Sequence, residues 1–127
     1  MKKYKIHYLH LNEEPFKKIA NGSKVFELRL RDPKRSSINM GDIISFTSLA
    51  DESSKIVSVV KSLHIFPSFE ELYRFMPLEL CGYEADEVSL ASPDDMLAYY
   101  SKDDILRYGV IAIEIEVQEV LGARSSA

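Results

Sequence analysis

The stretch VIAIEIEV at residues 110–117 is the most regular pattern in the chain. Its apolar side chains alternate with Glu114 and Glu116, which is the two-residue period of a strand with one face in the core and the other toward solvent. We expect the isoleucines of this stretch, together with Val117, to point inward. The pattern predicts a central strand of a β-sheet.

The stretch VFELRLR at residues 25–31 alternates in the same way. Its apolar residues share one face of the predicted strand, and Glu27, Arg29 and Arg31 share the other. This second strand therefore carries charge on one face, and that face is the first place to look for chemistry.

Three further segments have the composition of strands, at residues 4–11, 43–48 and 55–65. Short helices are expected between the strands, and the helix after Ser68 begins with a capping box, because Glu71 follows three residues later. The order of elements is not a βαβ alternation, so a doubly wound parallel sheet is not expected. We predict an α+β, mainly β fold, a small β-barrel of about five or six strands with short peripheral helices. The predicted core consists of Phe26, Leu28, Leu30, Ile44, Phe46, Val57, Val59, Ile111, Ile113 and Ile115.

The composition is that of an ordinary globular domain, with 46% apolar and 28% charged residues in a chain of 127. We predict a single domain over residues 1–127, with a flexible tail from about residue 119. Cys81 is the only cysteine, so no internal disulfide can form. No segment approaches the ~20 apolar residues of a membrane span, and the basic start of the chain has no apolar leader. We therefore expect a soluble, cytoplasmic monomer without membrane association.

The histidines do not have the spacing of metal ligands. His7 and His10 lie three residues apart on a predicted strand and so face opposite sides, and His64 lies on a different strand. His7 is expected to be hydrogen-bonded at the edge of the core. No cluster of Cys, His and Asp has ligand spacing, so we predict no metal ion and no cofactor.

Charge is distributed unevenly along the chain. The net charge is −4, but residues 1–35 carry 10 Lys and Arg against 4 Asp and Glu, whereas residues 66–108 carry 3 against 10. A basic N-terminal third can bind an anion such as an RNA phosphate despite the acidic total. The alternative is that the two regions are solvated faces of opposite sign.

The segment GSKVFELR at residues 22–29 is the strongest candidate for a site. Glu27 and Arg29 share a strand face, and Lys24 can join them only if the strand proper begins after Lys24. Convergence would place a lysine and a guanidinium beside a carboxylate, where an oxyanion or a polarised carbonyl could bind and a proton could be transferred. The alternative is an exposed strand face with salt bridges to its neighbours.

The spacing Gly22-x-Lys24-x-x-Glu27-x-Arg29 resembles the signature of the ASCH domain family. Further pieces resemble the family in the same order along the chain, and the resemblance covers about residues 5–117. These pieces are His7-x-Leu9-x-Leu11 with Pro15-Phe16, Ile38-x-x-Gly41-Asp42, Ser68-Phe69-x-Glu71-Leu72 and Tyr108-Gly109-Val110.

The resemblance implies a fold similar to the PUA domain and an association with nucleic acids, chiefly RNA. One bacterial branch of the family hydrolyses the acetyl amide of N4-acetylcytidine, with a motif that reads Lys-x-x-Thr-x-Arg and a later catalytic glutamate. The lysine and arginine of that motif fall on Lys24 and Arg29, but the threonine position holds Glu27. A carboxylate does not replace a hydroxyl nucleophile, because its charge and geometry differ. The later glutamate falls on Glu70 or Glu71.

We therefore predict binding of RNA, or of a modified nucleoside or nucleotide, in a cleft beside this segment. The alternative is an amidohydrolase that acts on N4-acetylcytidine or a related nucleoside, with Lys24, Glu27 and Glu71 as its catalytic residues. One of Tyr99, Tyr100 and Tyr108 is expected to stack on a base, unless all three are boundary residues of the core. The predicted binding residues are Arg29, Arg31, Lys34, Arg35, His7 and Tyr108.

Overall fold

Five strands and four short α-helices make up most of the computed structural model, which describes residues 3–122. Three short 3₁₀ helices, at Leu78–Leu80, Val88–Leu90 and Pro93–Ala98, follow the third α-helix. The strands are β1 (Ile6–Leu11), β2 (Phe26–Leu30), β3 (Ile43–Ser48), β4 (Lys55–Phe66) and β5 (Val110–Leu121). The α-helices are α1 (Glu13–Ala20), α2 (Pro33–Ser36), α3 (Phe69–Phe75) and α4 (Lys102–Tyr108).

The strands form one mixed sheet in the order β1-β3-β4-β5-β2. β1 runs parallel to β3, and the other neighbours are antiparallel. The predicted α+β class and its five strands are confirmed, and β5 has the inner position expected of it. The two edges of the sheet are β1 and β2, the strands that flank α1 along the chain.

The sheet is not closed into the predicted barrel, because the strand pairs of residues 3–122 do not join β1 to β2. Basic side chains from β2 and from α2 reach the β1 edge instead. Arg29 on β2 donates from Nη2 to the carbonyl of His10 at 2.8 Å, and Lys34 donates from Nζ to the carbonyl of Tyr8 at 3.0 Å. Both acceptors belong to β1, so its outward carbonyls bond to side chains where a closed barrel would have a neighbouring strand.

Apolar residues cover both faces of the sheet around the start of β5. The odd-numbered isoleucines of β5 pack with β1, β3, β4 and Ile19 of α1 in the main core, while Val110 and Ala112 pack with Leu28 and α3 in a second cluster. Seven of the ten predicted core residues are buried, and Phe26, Val57 and Val59 are only half-buried.

The inward face of β4 differs from the prediction. Ile56 and Val60 are buried in the main core, and Val57 and Val59 are not. The buried set includes Ser58, whose hydroxyl donates to the carbonyl of Ile44 at 2.9 Å. The hydrophobic pattern alone would place Ser58 on the outer face of the strand. Its hydroxyl can be buried because this hydrogen bond satisfies it.

The C-terminal strand and the helix caps bear on further expectations from the sequence. β5 continues to Leu121, past residue 119 where the flexible tail was predicted to begin, and residues 123–127 of that predicted tail lie outside the described residues. The cap predicted at Ser68 is confirmed, because its side chain accepts from the backbone N–H of Glu71. Ser101 caps α4 in the same way and accepts from the N–H of Asp104. Within residues 3–122, no helix has the length and apolar character needed to cross a membrane.

Candidate ligand-binding cleft

An open cleft of about 420 Å³ lies beside β2. Its walls come from the end of β1, the start of α1, β2, Tyr73 of α3 and the segment that follows α3. Its polar and aromatic lining includes Lys18, Lys24, Glu27, Arg29, Tyr73, Tyr83, Asp95, Tyr99 and Tyr100. The cleft is therefore placed where the charged face of β2 meets the irregular part of the chain.

Lys24, Glu27 and Arg29 converge in this cleft. β2 begins at Phe26, so Lys24 precedes the strand and its side chain does not follow the alternation of strand faces. This is the condition under which the three side chains were predicted to converge. Lys24 Nζ lies 2.8 Å from Glu27 Oε1, and Arg29 Nε lies 2.6 Å from Glu27 Oε2. The side chains are mostly buried, with 11%, 4% and 13% of the surfaces of Lys24, Glu27 and Arg29 exposed. We call these three residues the basic cluster.

The backbone around Lys24 explains how it reaches the cleft. α1 ends at Ala20, and Gly22 two residues later has a φ of +85°, in the left-handed region that glycine adopts without strain. The N–H of Lys24 then donates to the carbonyl of Lys18, and the N–H of Val25 donates to the carbonyl of Leu80. The turn from α1 into β2 is thus tied both to α1 and to the segment after α3.

Within the basic cluster, Lys24 and Arg29 keep Glu27 ionised as a carboxylate. Burial by itself raises the pKa of Glu27, but the charges of Lys24 and Arg29 and their hydrogen bonds outweigh burial and hold the pKa below its ordinary value of 4.5. With one carboxylate between two cations, the cluster carries a net charge of +1. It can donate hydrogen bonds to a phosphate, a carboxylate or a carbonyl oxygen.

Tyrosine rings line the rest of the cleft. Tyr73 and Tyr83 meet edge to face, with ring centroids 5.8 Å apart, and Tyr99 lies beside Tyr100, with centroids 6.5 Å apart. Their faces are of the kind on which bases stack. Tyr99 and Tyr100 were predicted from the sequence as candidate stacking residues, whereas Tyr73 and Tyr83 were not. Helical spacing within α3 could have indicated Tyr73, because it lies four residues after the buried Phe69.

The residues predicted around α2 lie outside the cleft lining. Lys34 bonds to β1, and Arg35 Nη1 bonds to Asp32 Oδ2 at 2.8 Å. The Nε atoms of Arg31 and Arg35 are buried without a hydrogen-bond partner among the described residues. Tyr100 lines the cleft, and burial raises the pKa of its hydroxyl against the opposing effect of the Arg29 and Arg35 charges.

Three other predicted site residues also lie away from the cleft lining. His7 Nε2 contacts Asp42 Oδ2 at 2.8 Å, and Asp42, which is buried, also accepts from the N–H groups of Lys5 and Asn39. His7 therefore has the hydrogen-bonded position at the core edge that was expected. Tyr108 has the guanidinium of Arg107 over its ring at 5.1 Å. Glu71 is exposed in the first turn of α3.

A second cavity, of about 720 Å³, lies between α1 and the far end of β5. It is larger than the cleft, but none of the basic cluster lines it, and its lysine, Lys17, is paired with Glu13 at 3.0 Å. Across residues 3–122, no three His, Cys, Asp or Glu side chains are grouped so that they could hold a metal ion. The cleft beside β2 is therefore the better candidate site.

Comparison with known proteins identifies the class of protein to which this fold and cleft belong. The family model of the ASCH domain matches residues 9–125, so the chain belongs to the ASCH domain family, with its PUA-like fold. This confirms the resemblance seen in the sequence. No curated protein matches the chain.

Several solved structures are similar to the chain. The crystal structure of the hypothetical protein PH0355 is 30% identical, covers 90% of this chain and 99% of its own, and superposes with a TM-score of 0.71. The solution structure of protein PF0455 from Pyrococcus furiosus is 31% identical, with coverage of 90% and 98% and a TM-score of 0.66. ASCH from Zymomonas mobilis is 14% identical, with coverage of 92% and 73% and a TM-score of 0.60, and so shares the fold alone.

Proposed function

We propose that this protein binds RNA, or a nucleotide-derived ligand, in the cleft beside the basic cluster. The observation that carries the proposal is the convergence of Lys24 and Arg29 on the buried carboxylate of Glu27 within an open cleft. A buried carboxylate that fixes two cations prepares their remaining N–H groups for an incoming acceptor. The ASCH family's association with RNA is consistent with this proposal.

The size and lining of the cleft suit a nucleotide. A volume of about 420 Å³ is within the usual range for small-ligand sites. Tyrosine faces supply stacking that is worth ~1–3 kcal/mol per base where it occurs. Lys34 bonds to β1 two residues before the carbonyl that Arg29 contacts, so basic side chains continue along this edge from the cleft. Arg31, Lys34 and Arg35 would contact phosphates of a longer strand while the base occupies the cleft.

The contents of the cleft favour binding over amide hydrolysis. None of the described residues that line the cleft is a serine or a threonine. Cys81 lines it, but burial raises the pKa of its thiol to about 12, so the nucleophilic thiolate is scarce at neutral pH. Glu27 is a weak base, because both of its oxygens are paired and its pKa is lowered. Release of cytidine from N4-acetylcytidine by the purified protein would restore the hydrolase alternative.

The proposal predicts salt-dependent RNA binding that requires the basic side chains. We expect a short single-stranded RNA to bind, with affinity that falls as salt rises, because phosphate contacts release counterions. Replacement of Lys24 with Gln should weaken binding roughly tenfold, since a charge-assisted hydrogen bond is lost. Replacement of Arg31, Lys34 and Arg35 with Ala should flatten the salt dependence by about one unit of slope for each lost phosphate contact.

Lys61→Ala is the matched control for these variants. Lys61 is an exposed lysine on β4 that faces Glu116 at 3.8 Å and does not line the cleft. It removes the same charge as Lys24→Gln and should leave affinity unchanged. The titrations can be followed by fluorescence anisotropy of a labelled RNA. Absence of binding at low salt, or an equal loss in Lys61→Ala, would contradict the proposal.

A further inference from the structure

The cleft contains a hydrogen-bonded network of two tyrosines and an aspartate that the proposed function does not yet use. The hydroxyl oxygens of Tyr73 and Tyr83 lie 2.6 Å apart, and the Tyr83 hydroxyl donates to Asp95 Oδ2 at 2.8 Å. Asp95 Oδ2 also accepts from the N–H of Ser92 at 3.1 Å, which fixes the carboxylate at the start of the 3₁₀ helix Pro93–Ala98. All three residues of the network line the cleft.

The direction of the hydrogen bonds in this network is determined by proton count. A tyrosine hydroxyl has one hydrogen. Since Tyr83 donates its hydrogen to Asp95, the contact between the two hydroxyls requires Tyr73 to donate to Tyr83. The hydrogen of Tyr73 is therefore used, and its oxygen has only lone pairs left for a ligand.

The network consequently presents acceptors to the cleft. The Asp95 carboxylate is exposed, and its two described hydrogen bonds both fall on Oδ2, which leaves Oδ1 for a ligand. The basic cluster has the opposite character, because the cationic groups of Lys24 and Arg29 can only donate. A ligand that satisfies both sides must donate hydrogen bonds to the network and accept them from the cluster.

We infer that the cleft selects nucleobases that carry an exocyclic amino group. Such a base donates from its amino group and accepts at neighbouring ring nitrogen or carbonyl positions. In a base with an oxo group in place of the amino group, both positions are reversed. The oxo group sets an acceptor against the acceptors of the network, and the hydrogen on the neighbouring ring nitrogen faces the donors of the basic cluster. A site whose polar groups are left unpaired rejects the ligand that lacks the matching group. This inference rests on the proposed nucleotide binding and names the class of base.

The test compares pairs of nucleotides that differ by amino and oxo groups, CMP against UMP and AMP against IMP, by isothermal titration calorimetry. We expect the amino member of each pair to bind roughly fivefold to tenfold more tightly, as one hydrogen bond allows. Tyr83→Phe and Asp95→Asn should remove most of this preference. In Tyr83→Phe the hydroxyl of Tyr73 loses its acceptor and can donate to the ligand. In Asp95→Asn the side-chain amide can donate as well as accept, so an oxo group can also be paired.

Two controls separate the network from the general loss of a tyrosine hydroxyl or a carboxylate. Tyr4→Phe removes the hydroxyl of an exposed tyrosine that does not line the cleft, and Asp94→Asn removes the charge next to Asp95, which does not line the cleft either. Both should keep the wild-type preference. Equal affinities within both pairs would overturn the inference and leave nucleotide binding intact. Failure of all four nucleotides to bind would overturn both the inference and nucleotide binding.

Discussion

Replacement of Glu27 with Gln is expected to lower the free energy of unfolding by about 3 kcal/mol, the scale on which a buried ion pair fails when one partner is removed. Gln keeps the size of the side chain but leaves Lys24 and Arg29 without a counter-charge, and both are largely buried. Glu116→Gln is the control, because Glu116 is exposed and its partner Lys61 lies at 3.8 Å. We expect the loss of that surface pair to lower the free energy of unfolding by less than about 1 kcal/mol.

The loss of stability in Glu27→Gln is expected to depend on pH. The folded-state pKa of Glu27 is lowered, so its ion pairs contribute stability above the ordinary value of 4.5, and that contribution is lost as pH falls through the folded-state pKa. The stability difference between wild type and Glu27→Gln should therefore be greatest near neutral pH and narrow below about pH 4.5. Urea unfolding at a series of pH values measures this. A difference that does not change with pH would show that the ion pairs are not its source.

Replacement of Ile113 with Ala is expected to cost ~2–5 kcal/mol, because it leaves a cavity in a packed core. Ile113 has no exposed surface, lies in the inner strand β5 and packs in the main core. Ile65→Ala on the neighbouring strand makes the same change at a side chain that is 55% exposed, and should cost less than about 1 kcal/mol. Denaturant melts compare the two. A loss of less than about 0.5 kcal/mol for Ile113→Ala would contradict the central position of β5.

Much of the fold could be predicted from alternation and turn residues. The pattern VIAIEIEV predicts β5 because its isoleucines recur at every second residue, and the alternation of VFELRLR predicts β2 in the same way. The second cluster, which covers Val110 and Ala112 on the other face of β5, is a long-range feature. In β4 both alternating sets contain apolar residues, so the pattern does not decide between them. There the inward face is the one that contains Ser58, and its hydrogen bond to Ile44 is a long-range contact that no local pattern contains.

The candidate site could be predicted only in part, and for a similar reason. The spacing of Lys24, Glu27 and Arg29 is sufficient to predict their convergence once the start of β2 is known. The Tyr73–Tyr83 contact joins α3 to the irregular segment after it, where side-chain spacing carries no information on proximity. The barrel was predicted from strand count, but closure depends on which edges pair. Here the β1 edge bonds to the side chains of Arg29 on β2 and Lys34 in α2.

An amide-detected NMR titration of the protein with CMP and with a short single-stranded RNA tests most directly whether the cleft beside the basic cluster is the binding site. We expect the resonances that shift with ligand to belong to the cleft, at Lys24, Arg29, Tyr83 and Tyr100, with Lys34 and Arg35 joining them when RNA is used. Shifts confined to the second cavity, around Phe16 and Val120, or no shifts in the cleft at ligand concentrations that saturate binding, would contradict it.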